Sequence, residues 1–255
     1  MTVLLLPTDI EAIERATLAA VAPTQLASLP GWLLPMDHGT VGRAHAAVPL
    51  VHEPTQIAPW RQVAACYRAE GHRPVFRLPE SVAFASQRAE LAAAGWLRVQ
   101  PTLVQVAPLA GLLAADTQGC ALDERPDAAW MAMFLGEGLD PVDGASRAAA
   151  LARAQDSRYA SLRAAGETRA CGMACFAGGW LSVHGMRTAA AHRGRGLATR
   201  VLAAMATEAR RRGIERVFLQ VDGANTPALS LYRRLGFAEA WTYAYWRPGP
   251  DARAD

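Results

Sequence analysis

Apolar positions in the C-terminal half of the chain switch between two periods. Leu197, Val201, Met205 and Ala209 recur every four residues, which predicts a helix over about Gly196–Arg212 with one apolar face. Around it, short runs rich in β-branched, aromatic and alternating residues predict strands at Tyr159–Ala164, Thr168–Phe176, Trp180–Arg187, Val217–Gln220 and Trp241–Trp246. Gly166-Glu167 and Gly178-Gly179 mark tight turns between the first three strands. Helical patterns lie near Ala128–Leu135, Gly144–Ala154 and Pro227–Leu235. Helices, a three-strand meander, then helix–strand–helix–strand predict an α+β fold (α/β mixed sheet), its central sheet flanked by helices.

The same order occurs earlier in the chain. Val75–Leu78 reads as a short buried strand, Val82–Ala94 as a helix, and a β-like stretch follows Gly95-Trp96 and ends at Thr102–Val106. Gly71 and Gly213 each stand four residues before the strand of their copy, where a glycine caps a preceding helix. Two halves of one architecture are expected. The boundaries predicted are 1–107 for the first half, a turn-rich linker at 108–126, a second half at 127–248, and a disordered tail at 249–255. Trp32–Gly39 is distinctive in composition, but its residues suggest no role.

Composition narrows the chemistry. The chain has 255 residues and a net charge of +3, which gives no reason to expect a nucleic-acid partner. All 26 basic residues are arginine, so Schiff-base and Walker-type lysine chemistry are excluded. Cys66, Cys120, Cys171 and Cys175 lack metal-site spacing and are expected as reduced, packed thiols; no metal is expected. The apolar stretch Val3–Leu6 is followed at once by Asp9, Glu11 and Glu14, unlike a signal peptide, and no apolar run is long enough for a membrane span. A cytoplasmic protein without a membrane partner is expected, as a monomer or homodimer.

The run Arg193-Gly194-Arg195-Gly196-Leu197-Ala198 carries the most chemistry. Closely spaced glycines let the backbone turn sharply at the start of a helix, and the first N–H groups of that helix point at whatever anion lies beyond. Arg193, Arg195 and Arg200 would add positive charge there. The same glycines could belong to a dinucleotide fingerprint, but Thr199 stands where a third glycine or alanine belongs. A capped structural helix is the plainer alternative.

The second half, roughly 126–248, resembles the GCN5-related N-acetyltransferase (GNAT) superfamily. The resemblance rests on the motif Arg193-x-x-Gly196-x-Ala198, then Asn225, Tyr232 and Leu235-Gly236-Phe237 in order. It implies acetyl-CoA as cofactor, with its pyrophosphate at Arg193–Thr199. It also implies that Met186, Arg187 and Thr188 pair with the pantetheine arm, and that Asn225 and Tyr232 reach the pantetheine and sulfur. Direct transfer of an acetyl group to a primary amine of a small molecule, amino acid or peptide is then expected, Tyr232 protonating or hydrogen-bonding the thiolate. His184, placed with Ser182 and Met186 by strand alternation, is the candidate general base. Glu137 and Asp140 fall in the loop that would shape the acceptor site, where they could bind a cationic substrate or simply be solvated.

No cofactor motif stands in the first half: Ala83 and Leu91 occupy the places of Asn225 and Tyr232. A tandem arrangement with a degenerate N-terminal half is the pattern resembled. A non-catalytic acyl-CoA-binding protein or a tandem interaction scaffold remains the alternative.

Overall fold

The computed structural model describes residues 5–53, 57–136, 138–250 and 252. Helix α1 (Pro7–Val21) opens the chain, with a proline in its first turn, where a missing N–H costs no hydrogen bond. A small antiparallel sheet follows, β1 (Gln25–Leu29), β2 (Trp32–Met36) and β3 (Val48–Pro49), with the one-turn α2 (Gly42–His45) between β2 and β3. Next come α3 (Trp60–Ala69), β4 (Phe76–Pro79), α4 (Ala85–Ala93) and the long β5 (Trp96–Pro108). The second half runs β6 (Cys120–Asp123), α5 (Ala128–Ala132), α6 (Pro141–Ala152), β7 (Ser157–Ala164), β8 (Glu167–Ala177) and β9 (Trp180–Thr188). It closes with α7 (Leu197–Arg211), β10 (Arg216–Asp222), α8 (Thr226–Arg234) and β11 (Ala238–Pro248). The expected mixed sheet flanked by helices is present, and the elements predicted in the second half fall within a few residues of those observed.

Strands from both halves form one eight-stranded sheet in the order β4-β11-β5-β10-β9-β8-β7-β6. β11 lies between β4 and β5, antiparallel to both, and β5 also pairs antiparallel with β10. Among the described residues, β9 and β10 are the one parallel pair of strands in this sheet. The sheet thus continues across the expected boundary between halves. The segment expected as a linker, 108–126, is ordered. Leu109 and Leu112 are buried, and β6 forms an edge of the sheet on β7. Of the expected tail, Gly249, Pro250 and Ala252 are described: Gly249 N–H donates to Gly95 O at 3.1 Å, and Ala252 packs against buried aromatic residues. The remainder lies outside the described residues.

Each face of the sheet has its own core. On one, Val201, Leu202 and Met205 of α7 pack on Leu181, Val183 and Leu219, each full side-chain burial contributing roughly 2 kcal/mol. On the other, α1, α5 and α6 cover Trp130, Phe134, Tyr159 and the buried thiols Cys171 and Cys175. Burial pushes the Cys171 thiol up to about 12, so it stays protonated and inert, as expected of a packed thiol.

Candidate functional site

β9 and β10 begin as partners and then part. Their parallel pairing covers only Leu181–Val183 against Val217–Leu219. Beyond it β9 remains paired with β8 through Arg187 and Thr188, while Gln220–Asp222 remain paired with β5. A wedge therefore opens between two strands whose outer edges are held. Backbone groups along such an unpaired edge can accept an added strand or an extended ligand.

A bulge in β9 accompanies this opening. Met173 pairs with His184 and Cys171 with Arg187, so two residues, Gly185 and Met186, stand opposite Gly172 alone. Gly185 has φ +60°, and a Cβ there would meet Leu151 Cδ1 at 2.8 Å and Phe134 Cζ at 2.9 Å. The extra residue corrects the alternation expected from sequence. Met186 turns to the α7 face and packs with the Val183 core, away from His184 and Ser182. Arg187 instead lies over the Phe134 ring, 5.1 Å from its centroid.

Past β9 the chain makes the glycine turn. Gly194 and Gly196 have φ of +74° and +73°, and apart from the adjoining backbone no atom of the described residues stands within 4 Å of where a Cβ would be. Glycine is needed there for backbone conformation, and the space beside it is open. Gly196 caps α7 without a side-chain acceptor, so the N–H groups of Leu197, Ala198 and Thr199 have no intrahelical partner. Together with the helix dipole they form an anion cradle. Arg193 and Arg195 are exposed beside it, with Arg193 Nε 3.4 Å from Thr188 O. Arg200, expected to add charge here, is drawn away: its guanidinium pairs with Asp116 at 3.1 Å and bonds the Gln118 carbonyl.

The wedge leads into a cavity of about 440 Å³. Asn225 and Tyr232 of α8 line one side of it. Asn225 caps α8, its Oδ1 accepting from Ala228 N–H at 3.2 Å. Tyr232 is buried edge-on against Phe237, and burial pushes its phenol up to about 12, opposed by the nearby Arg187 charge. The phenol therefore keeps its proton at neutral pH. His184 also lines the cavity and is 4% exposed. Burial, reinforced by the Arg43 charge, pushes its imidazole down to about 3, and Nε2 has no partner. It is neutral near pH 7 and a weak proton acceptor.

Behind the cavity wall lies a buried polar cluster. Glu14 of α1 and Arg77 of β4 form an ion pair at 2.5 Å, both side chains nearly inaccessible. Gln220 joins them, its Oε1 accepting from Tyr243 Oη at 2.8 Å and from Arg77 at 3.4 Å, its Nε2 donating to Thr17 Oγ1 at 2.8 Å. Gln220 also lines the cavity, so this cluster ties the first half of the chain to the site.

A family profile described as "Probable histone acetyltransferase Rv0428c C-terminal" matches residues 7–246, spanning both halves. The chain belongs to this acetyltransferase family. Solved GNAT structures share its fold. A GCN5-related N-acetyltransferase from Kribbella flavida has TM-score 0.67 at 18% identity, with 97% of each chain covered. A GNAT-family structure from Novosphingobium aromaticivorans has TM-score 0.58 at 19% identity, covering 96% of this chain and 100% of the other. A tandem GNAT protein from the clavulanic acid biosynthesis pathway has TM-score 0.58 at 16% identity, covering 96% and 98%. No curated protein matches the chain in sequence.

In this member of the family, the structure brings His184, Met186, Arg187, Asn225 and Tyr232 to one cavity, with the glycine turn at the end of β9. It does not bring Asp140 there. That carboxylate caps α6, accepting from Val142 and Asp143 N–H at 2.8 and 2.9 Å, and is exposed. Glu137 lies outside the described residues. Two other acids line the cavity, Asp222 and Asp143, the latter held by Arg147 Nε at 2.5 Å and Thr40 Oγ1 at 2.6 Å. Sequence reading also missed Arg43, Gln220 and Tyr245, which reach the cavity through tertiary folding. The i,i+4 pair Asp143/Arg147 is visible in sequence but reads there as an ordinary helix-surface pair. Among the described residues, no three His, Cys, Asp or Glu side chains are arranged to hold a metal, and no helix is long and apolar enough to cross a membrane.

Proposed function

We propose that this protein is an acetyl-CoA-dependent N-acetyltransferase acting on a primary amine of a small molecule, amino acid or peptide. The observation that carries the reading is the β9–β10 wedge: buried Tyr232 lines its cavity, and the glycine turn that follows β9 in the chain opens α7 with unpartnered N–H groups. The cradle fits a pyrophosphate, because its glycines leave open space and its N–H groups lack helical partners. The unpaired edge at Met186–Thr188 suits the amide-bearing pantetheine arm. Acetyl-CoA would supply an activated acetyl thioester, open to direct attack by an uncharged amine. Tyr232 then serves as donor: its proton is present at every physiological pH, and it hydrogen-bonds the thiolate more readily than it transfers the proton outright. Backbone N–H groups near the bulge would stabilise a developing oxyanion.

His184 fits the role of base less well than its position suggests, since a group that titrates near 3 holds a proton weakly. An amine that arrives uncharged needs little help. The same observation favours a second reading, a protein that binds acyl-CoA without transferring it. Calorimetric titration with acetyl-CoA, comparing the wild type with Gly196→Trp, tests the cofactor site; a screen of amines followed by thiol release separates transfer from binding. No binding at millimolar acetyl-CoA would sink both readings and leave the scaffold.

In this reading the N-terminal half is a second copy of the unit that lacks the cofactor turn. The strand order β4-β11-β5-β10 is unchanged, read from the other end, when the halves are exchanged. Gly71 and Gly213, which follow α3 and α7, share φ +74°, and Gly95 and Gly236, which follow α4 and α8, have φ +82° and +85°. The first half then serves as a wall of the acceptor pocket, through Thr40, Arg43 and Thr102.

A further inference from the structure

The cavity is lined by Arg43, Arg147, Arg187 and Arg247 against Asp143 and Asp222, an excess of two positive charges. Both acids are already engaged inside the protein. Asp143 is held by Arg147 and Thr40, and Asp222 Oδ1 accepts from Ala224 N–H at 2.9 Å. The arginines are less well satisfied. Among the described residues Arg43 makes a single long hydrogen bond, Nη1 to Gln220 Oε1 at 3.5 Å, and its Nε is buried without an acceptor. Arg187 lies over the Phe134 ring, its one side-chain hydrogen bond among the described residues goes to its neighbour's carbonyl, Met186 O at 3.4 Å, and its Nε is likewise buried without an acceptor. His184 Nε2 adds a third unpartnered polar atom.

Buried donors without acceptors are costly unless something supplies the acceptor, and guanidinium groups match the geometry of carboxylate and phosphate oxygens. A protonated lysine tail would instead meet like charge at desolvated sites. We propose that the acceptor amine carries an anionic group, a carboxylate or a phosphate, which Arg43 and Arg187 bind. This inference rests on the acetyltransferase reading and names its substrate class. It differs from the cationic substrate that Glu137 and Asp140 could bind if they were not simply solvated.

The test uses the full-length chain saturated with CoA, so that the cofactor's own phosphates are already bound. Calorimetric titrations compare N-acetylglycine, N-acetyl-L-leucine and N-acetyl-L-glutamate with their amides, and O-phosphoethanolamine and glucosamine 6-phosphate with ethanolamine and glucosamine. At least one anionic probe should bind about tenfold or more tighter than its neutral counterpart. Arg43→Gln should remove that preference and leave acetyl-CoA affinity unchanged. The acid arm and the phosphate arm tell the two sources of negative charge apart. Equal or better binding by neutral probes or by a lysine-rich peptide, or no binding by any anionic probe, overturns the proposal. Loss of acetyl-CoA binding in the wild type overturns the transferase reading instead, and is measured separately.

Discussion

Replacing Glu14 with leucine should unfold this protein more easily than any comparable change on its surface. The Arg77 side chain is 0% exposed, and its ion pair with Glu14 at 2.5 Å is its strongest contact. Without Glu14 the guanidinium keeps only Gln220 Oε1 at 3.4 Å and the face of Tyr243, 5.0 Å from the ring centroid. An uncompensated buried charge costs about 3–5 kcal/mol; the remaining neutral partners point to the lower end, about 3 kcal/mol. For a chain of this size that is a Tm drop of roughly 6–12 °C. The converse change, Arg77→Leu, behaves differently, because an abandoned carboxyl can take up a proton and a guanidinium cannot lose one. Protonating a carboxyl costs about 3.7 kcal/mol at pH 7 and about 1 kcal/mol at pH 5, from its reference pKa. Relative to the wild type at the same pH, Arg77→Leu should therefore recover up to about 2.7 kcal/mol between pH 7 and 5, while Glu14→Leu recovers nothing. Urea titrations followed by tryptophan fluorescence measure both, provided the slope m is unchanged. The double variant should be more stable than Glu14→Leu alone. A loss under about 1 kcal/mol for Glu14→Leu, or an Arg77→Leu loss that is the same at both pH values, would refute this account of the pair.

Three further outcomes are expected. His184 titrates near 3 when folded and near the ordinary histidine value of 6.5 when unfolded, so the unfolded chain gains the proton first and stability falls as pH drops from about 6.5. At pH 5 this amounts to about 2 kcal/mol, and His184→Leu should remove it; identical pH dependence of the urea midpoint in both proteins would count against a buried neutral imidazole. Tyr232→Phe should lower kcat about 10²-fold with little change in the KM for acetyl-CoA, and an unchanged kcat would remove the phenol from the reaction. Gly185→Ala places a Cβ 2.8 Å from Leu151 and 2.9 Å from Phe134 at φ +60°, and should cost about 2–4 kcal/mol; a variant as stable as the wild type would show that the bulge is not constrained there.

Much of the site was legible in the chain because its signals are local. The glycine turn, the four-residue stripe of α7 and the order of strands and helices in the second half each depend on residues a few positions apart, and each sits where the sequence places it. Local periodicity failed first at Gly185, where one inserted residue reverses which side chains share a face, and no pattern of apolar positions announces a bulge. Tertiary structure alone decided that β5 from the first half lies between β10 and β11, because strand order is chosen by burial across long sequence separations. It likewise decided how deeply His184 is buried, and hence its protonation, and it brought Arg43, Asp143 and Gln220 to one cavity from distant segments. Composition counts arginines and aspartates along the chain; desolvation and pairing, which set their chemistry, exist only once the chain is folded.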